Sequence, residues 1–208
     1  NESTDPFTPQ MRAIDGINPF DRCFEEARMR GITAAASCPG SANACGGEIC
    51  AVKTAGRRAD DMVIESCGIK FALGENPKRV YNDKGETPMT RMAIAALIRE
   101  GLYKARRYAH DTDSYYSDSE DRDPPEYDIK CEALLPLLDR KQKAFFHCHR
   151  ADDICTALRI AKEFSLDPVI IHGTEGHLIA DILAKEEVPV ICGPLLCDRC
   201  KPEMKALE

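Results

Sequence analysis

Residues 144–173 read AFFHCHRADDICTALRIAKEFSLDPVIIHG. The run Ala144-Phe145-Phe146 closes on His147, and Val169-Ile170-Ile171 closes on His172. Between them, Asp152–Phe164 carries Ile154, Leu158 and Ala161 at helical spacing, so one face is apolar. Strand, amphipathic helix and strand within the 25 positions from His147 to His172 form a βαβ unit of a parallel sheet. Imidazoles at the carboxyl ends of successive parallel strands face the end of the sheet where α/β folds place their chemistry. Two such rings can share a metal ion.

The alternation continues outward from this unit. Ile129–Leu138 reads as a helix kinked at Pro136, Ala144–His149 and Pro168–His172 as strands, His177–Lys185 as a helix and Val188–Cys192 as a strand. Towards the start, Asn18-Pro19 is expected to cap a helix over Phe20–Arg30, with Phe24 and Ala27 on its inner side and Gly31 at its end. Ile32–Ser37 is expected to be a short buried strand, Cys38–Gly47 a loop, and Ile49–Lys53 and Ile69–Leu73 strands. Thr87-Pro88 opens a long helix to about Tyr108, and His110–Pro125 reads as an exposed acidic loop. The expected fold class is therefore α/β, with parallel strands alternating with helices packed outside them.

The 208 residues are 43% hydrophobic, enough for one core, and carry a net charge of −7. That balance excludes a basic groove for nucleic acid. No apolar run approaches the length of a membrane span. Eleven cysteines, an odd number, with Cys148, Cys155 and Cys192 in apolar runs, suit reduced thiols in a cytoplasmic protein. The Cys38–Cys50 region has no metal-ligand spacing, and its glycines form no nucleotide-binding loop. Cys197-x-x-Cys200 has no second C-x-x-C to complete a zinc site, which leaves a thiol-based metal or redox sensor as a minor alternative.

His147-x-His149 places two imidazoles on one face of a strand, where they can chelate one ion; a histidine satisfying a backbone carbonyl is the competing reading. Lys70 sits in an apolar run, either as a surface lysine with a buried stem or, carbamylated, as an anion able to bridge metals, and Glu75 is a competing carboxylate ligand. Asp152 is expected to cap the helix that follows Arg150. Glu175 and His177 follow His172 and either touch substrate or serve the first turn of a helix.

Gly31-Ile32-Thr33, Gly68-Ile69-Lys70, Phe146-His147-Cys148-His149 and Ile171-His172-Gly173, in this order, resemble the amidohydrolase superfamily, and within it the imidazolonepropionase and prolidase-like branch, from about Asp5 to Lys205. The resemblance implies part of a (β/α)8 TIM-type barrel with one or two divalent metals, zinc above all, at the carboxyl ends of its strands. It implies metal ligands at Lys70 (fourth strand), His147 (fifth) and His172 (sixth). His149, Arg150, Glu175 and His177 would then be substrate-facing or would support the ligands. The family's H-x-H on strand 1 and its catalytic Asp on strand 8 have no counterpart here. They would lie before Asn1 and beyond Glu208, so residues 1–208 are expected to be the central portion of a single barrel domain. The implied activity is hydrolysis of a C–N bond in a small cyclic amide, amidine or dipeptide-like substrate by a metal-activated water, in a protein free to form homo-oligomers. A non-catalytic α/β scaffold with an incomplete metal site is the alternative.

Overall fold

The computed structural model describes residues 2–117 and 123–193. Its centre is a curled six-stranded sheet in the order β1 (Ala34–Ser37), β2 (Cys45–Lys53), β3 (Val63–Ala72), β4 (Lys143–Cys148), β5 (Pro168–His172) and β6 (Val190–Cys192). The strands from β3 to β6 are parallel, as the helix–strand alternation requires. The first three are antiparallel instead, because β1, β2 and β3 are joined by connections with no long crossover helix. The architecture is α/β and matches part of a TIM-type barrel.

Successive residues of a strand face opposite sides, and this sorts the core. Ile69, Phe71, Ala144, Phe146, Cys148 and Ile170 are buried in the main core. Phe71 and Phe146 are paired across β3 and β4 and stack with ring centroids 5.2 Å apart. Two helices cover that side. In α4 (Arg91–Ser117) Ile94, Ala95, Ile98, Leu102 and Ala105 make the buried stripe. In α7 (Ala151–Phe164) Ile154, Ala157, Leu158, Ala161 and Phe164 do so. Lys70, Ala72, Phe145 and His147 alternate with the core residues and face the other side of the sheet.

Several boundaries differ from expectation for local reasons. Helix α4 runs through His110 to Ser117; Arg107 and Asp111 pair at 3.6 Å one turn apart, and Gly and Pro are absent from that segment. Residues 118–122, the middle of the expected acidic loop, lie outside the described residues. The expected 129–138 helix is two short ones, α5 (Ile129–Glu132) and α6 (Leu135–Leu138). Pro136 sits in the first turn of α6, where its missing N–H costs nothing. Helix α1 (Arg22–Met29) is capped by Asp21, which accepts from the Cys23 amide at 2.9 Å; Asn18 instead accepts from Phe20 in a turn. Strand β1 is exposed rather than buried because it is the sheet edge, paired on one side only. Cys192 is exposed too, on the opposite edge strand. The nine described cysteines are free thiols.

Asp128 illustrates how tightly the helical layer is pinned. One carboxylate oxygen accepts from the Lys130 and Cys131 amides, capping α5, and the other meets Lys104 Nζ at 2.5 Å. The Lys104 ammonium first, then these amides, lower its pKa to about 2. A depressed carboxylate stabilises the fold fully above its unfolded pKa and loses that contribution as pH falls through the folded value. Asp128→Ala is therefore expected to lose about 1 kcal/mol at pH 7. Denaturant titrations of variant and wild type should converge between roughly pH 4 and pH 2. A gap unchanged at pH 2 would count against this role.

Candidate metal centre

His147 occupies the penultimate position of β4 and is 3% exposed. It stands in register with Ala72 of β3 and Ile171 of β5, on the side opposite the Phe71–Phe146 stack. Cys148 points back into the core, where burial pushes its thiol pKa up and keeps it protonated. His149, one residue beyond the strand, returns to the side of His147, and the two ring centroids are 4.8 Å apart.

His172 reaches the same place by another route. It is in register with Cys148, so regular alternation would send its side chain towards the helices. Its φ of 73° lies in the left-handed region and turns the ring across the strand end. The ring centroid is 4.6 Å from that of His147 and 4.8 Å from that of His149, and the His149 and His172 planes are within 6° of parallel. Two contacts hold this unusual backbone: Gly173 N donates to Cys148 O at 2.9 Å, and His172 Nδ1 donates to the Gly193 carbonyl. A carbonyl only accepts, so Nδ1 carries a proton, and Nε2 is the nitrogen left for a ligand.

Among the described residues, His147, His149 and His172 are the one group of His, Cys, Asp or Glu side chains close enough to share an ion. Their ligand atoms lie within 4.8 Å of one another. That spacing brings all three within reach of one divalent ion. Three imidazoles, one buried and two half-buried, form a donor set able to hold one ion. The residues fit a divalent metal ion.

The other residues singled out in the sequence lie around this group. Lys70 is 6% exposed, so it is not a surface lysine. It lies on the side of the sheet that bears His147, two positions before the register partner of that histidine. Its Nζ donates to Pro39 O at 2.7 Å and lies 3.6 Å from Cys38 Sγ. Glu75 opens α3 (Glu75–Asn82), 3.6 Å from Arg79, and is not in the imidazole group. Arg150 forms a two-point pair with Asp152 at 2.8 and 3.0 Å. Asp152 is inside the first turn of α7 rather than its cap. The amide of Ala151 is satisfied from a different element, by Glu175 Oε2 at 2.8 Å. Glu175 thus serves the N-terminus of α7, not a helix of its own. Asp153, buried in the same turn, has its pKa raised by burial against the opposing pull of Arg91, 2.9 Å away. His177 is exposed and its Nδ1 contacts Thr174 O at 3.1 Å. Cys197 and Cys200 lie outside the described residues.

Sequence reasoning missed Thr174, whose hydroxyl is 2.9 Å from His149 Nδ1, and the Gly193 carbonyl beneath His172. Neither belongs to a motif. Each acts on a histidine of another strand end, a relation created by the sheet.

No family model matches the chain. It is 30% identical over 204 residues to "Amidohydrolase tasK" of Hapsidospora irregularis, an alignment covering 88% of this chain and 21% of that protein. It is 42% identical to an amidohydrolase of known crystal structure from Thermotoga maritima MSB8, with a TM-score of 0.94 over 99% of this chain and 53% of that one. The chain thus spans about half the length of the solved relative and a fifth of the curated one. Parallel neighbours β3, β4 and β5 carry Lys70, His147 and His172 in the order the resemblance assigns to strands four, five and six. Motif order, strand order and a superposition over 99% of this chain agree, and by these the chain is similar to amidohydrolases.

Proposed function

We propose that this chain belongs to a metal-dependent hydrolase acting on a C–N bond of a small molecule, such as a cyclic amide, an amidine or a dipeptide-like compound. The observation that carries the reading is the convergence of three imidazoles from adjacent parallel strand ends to within 4.8 Å of one another. A divalent metal such as zinc, when bound, would lower the pKa of a water molecule and polarise the scissile carbonyl or amidine carbon.

The chain's own residues hold and orient. His147 and His172 are donors at fixed strand ends, with Nε2 of His172 left for a ligand by the bond from Nδ1 to Gly193 O. His149 is the third donor. Lys70 Nζ donates to Pro39 O now; carbamylated, it would keep one N–H for that bond and offer carboxylate oxygens to the metal; Glu75 remains the carboxylate alternative on the following turn. Arg150, half-buried, and His177, exposed, are the side chains proposed to meet a substrate. The motifs quoted above favour the imidazolonepropionase and prolidase-like branch.

The purified 208-residue chain, loaded with zinc or cobalt(II) and dialysed, is expected to retain the metal, and cobalt should give the intense visible absorption of a tetrahedral nitrogen site. A chain that releases all metal on dialysis and shows only the spectrum of aqueous cobalt would defeat the proposal.

A further inference from the structure

The loop after β5 grips the loop after β4 at three points, all from two consecutive residues. Glu175 N donates to His149 O at 2.8 Å, Glu175 Oε2 accepts from Ala151 N at 2.8 Å, and Thr174 Oγ1 lies 2.9 Å from His149 Nδ1. The two Glu175 contacts fix the backbone on either side of Arg150. Of these three contacts, the one from Thr174 reaches the ring. We propose that Thr174 is a positioning residue for His149, its hydroxyl accepting from Nδ1–H so that Nε2 presents its lone pair beside His147 and His172. The inference rests on the metal-site reading given above.

The chemistry of the two anchors differs in a way that matters. His172 is set against a carbonyl, which only accepts, so its Nδ1 must donate. His149 is set against a hydroxyl, which can donate or accept. Ligation selects the arrangement in which the hydroxyl accepts. Losing a hydrogen bond that orients a metal-binding histidine typically weakens metal affinity 10- to 100-fold. The near-parallel stack of His149 on His172, 6° between planes, is the geometry this contact maintains.

Thr174 is exposed, so its replacement leaves the core untouched. Thr174→Val removes the hydroxyl at nearly constant shape, and Thr174→Ser keeps it. Cobalt or zinc affinity of the full chain is expected to fall about 10- to 100-fold in Thr174→Val and to return in Thr174→Ser. In a His149→Ala background, Thr174→Val should cause no further loss. A second readout needs no metal: the imidazole 15N shifts of His149 in the metal-free chain should move in Thr174→Val and not in Thr174→Ser. Equal affinity and equal shifts in wild type and Thr174→Val would overturn the role of Thr174 while leaving the metal site standing. A wild-type chain that binds no metal would overturn the site itself, and with it the ligand-presenting role, even if the His149 shifts still answered to Thr174.

Discussion

His172→Ala is expected to cost this chain its divalent metal. Zinc held by a few protein ligands has a total binding free energy of about 10–16 kcal/mol. One imidazole of the set therefore accounts for roughly 3 kcal/mol, or on the order of 100-fold in affinity. His172 also carries the backbone at φ 73° and the bond to Gly193 O, so Ala removes structural contacts as well as a ligand. His172→Asn separates the two effects. Asn tolerates the left-handed region better than most residues but offers no imidazole. Both variants should fail to retain zinc through dialysis, while His172→Asn keeps the circular dichroism and melting profile of the parent. Undiminished zinc in His172→Asn would remove His172 from the metal centre.

The largest effect on stability is expected from a residue with no part in the chemistry. Gly68 opens the parallel β3–β4 ladder opposite Lys143, with φ of 150°. A Cβ built there would lie 2.0 Å from Lys143 O and 2.8 Å from its carbonyl carbon. Both contacts are with backbone, which cannot rotate aside, so Gly68→Ala must force β3 and β4 apart or twist β3 out of register. Strain and overpacking together should cost about 3 kcal/mol or more. For a chain of this size that corresponds to a loss of roughly 6–12 °C in melting temperature. The comparison is Gly16→Ala, where nothing lies within 4 Å and the melting temperature should hardly change. Equal melting temperatures for the two variants would show that β3 and β4 do not approach as closely as described. The same separation would carry Ala72 away from His147, so metal retention should fall with stability in Gly68→Ala.

Much of the parallel half of this sheet was legible in the chain because its signals are local. Phe146 and Cys148 alternate with His147 and His149 at the period of a strand, and Ile154, Leu158 and Ala161 recur at the period of a helix. The antiparallel entry through β1 and β2 was not legible: a run such as Ala34–Ser37 does not state its partner or direction, and its exposure follows from lying at the edge. Lys70 misled for a related reason. Whether a lysine in an apolar run is buried depends on what covers it, and here the Cys38-Pro39 segment does so from 31 residues away.

That two histidines end successive parallel strands, and so belong to one end of a sheet, can be read from the chain alone, because strand and helix periods are written in neighbouring residues. The convergence of three rings, the contact of His172 Nδ1 with Gly193 O and the capping by Glu175 of a helix it does not precede come from the folded sheet. Those outcomes depend on a left-handed turn at His172 and on hydrogen bonds to the Thr174 hydroxyl, the Glu175 carboxylate and the Gly193 carbonyl across strand ends. Such contacts exist only once the sheet has brought distant segments within about 3 Å of one another.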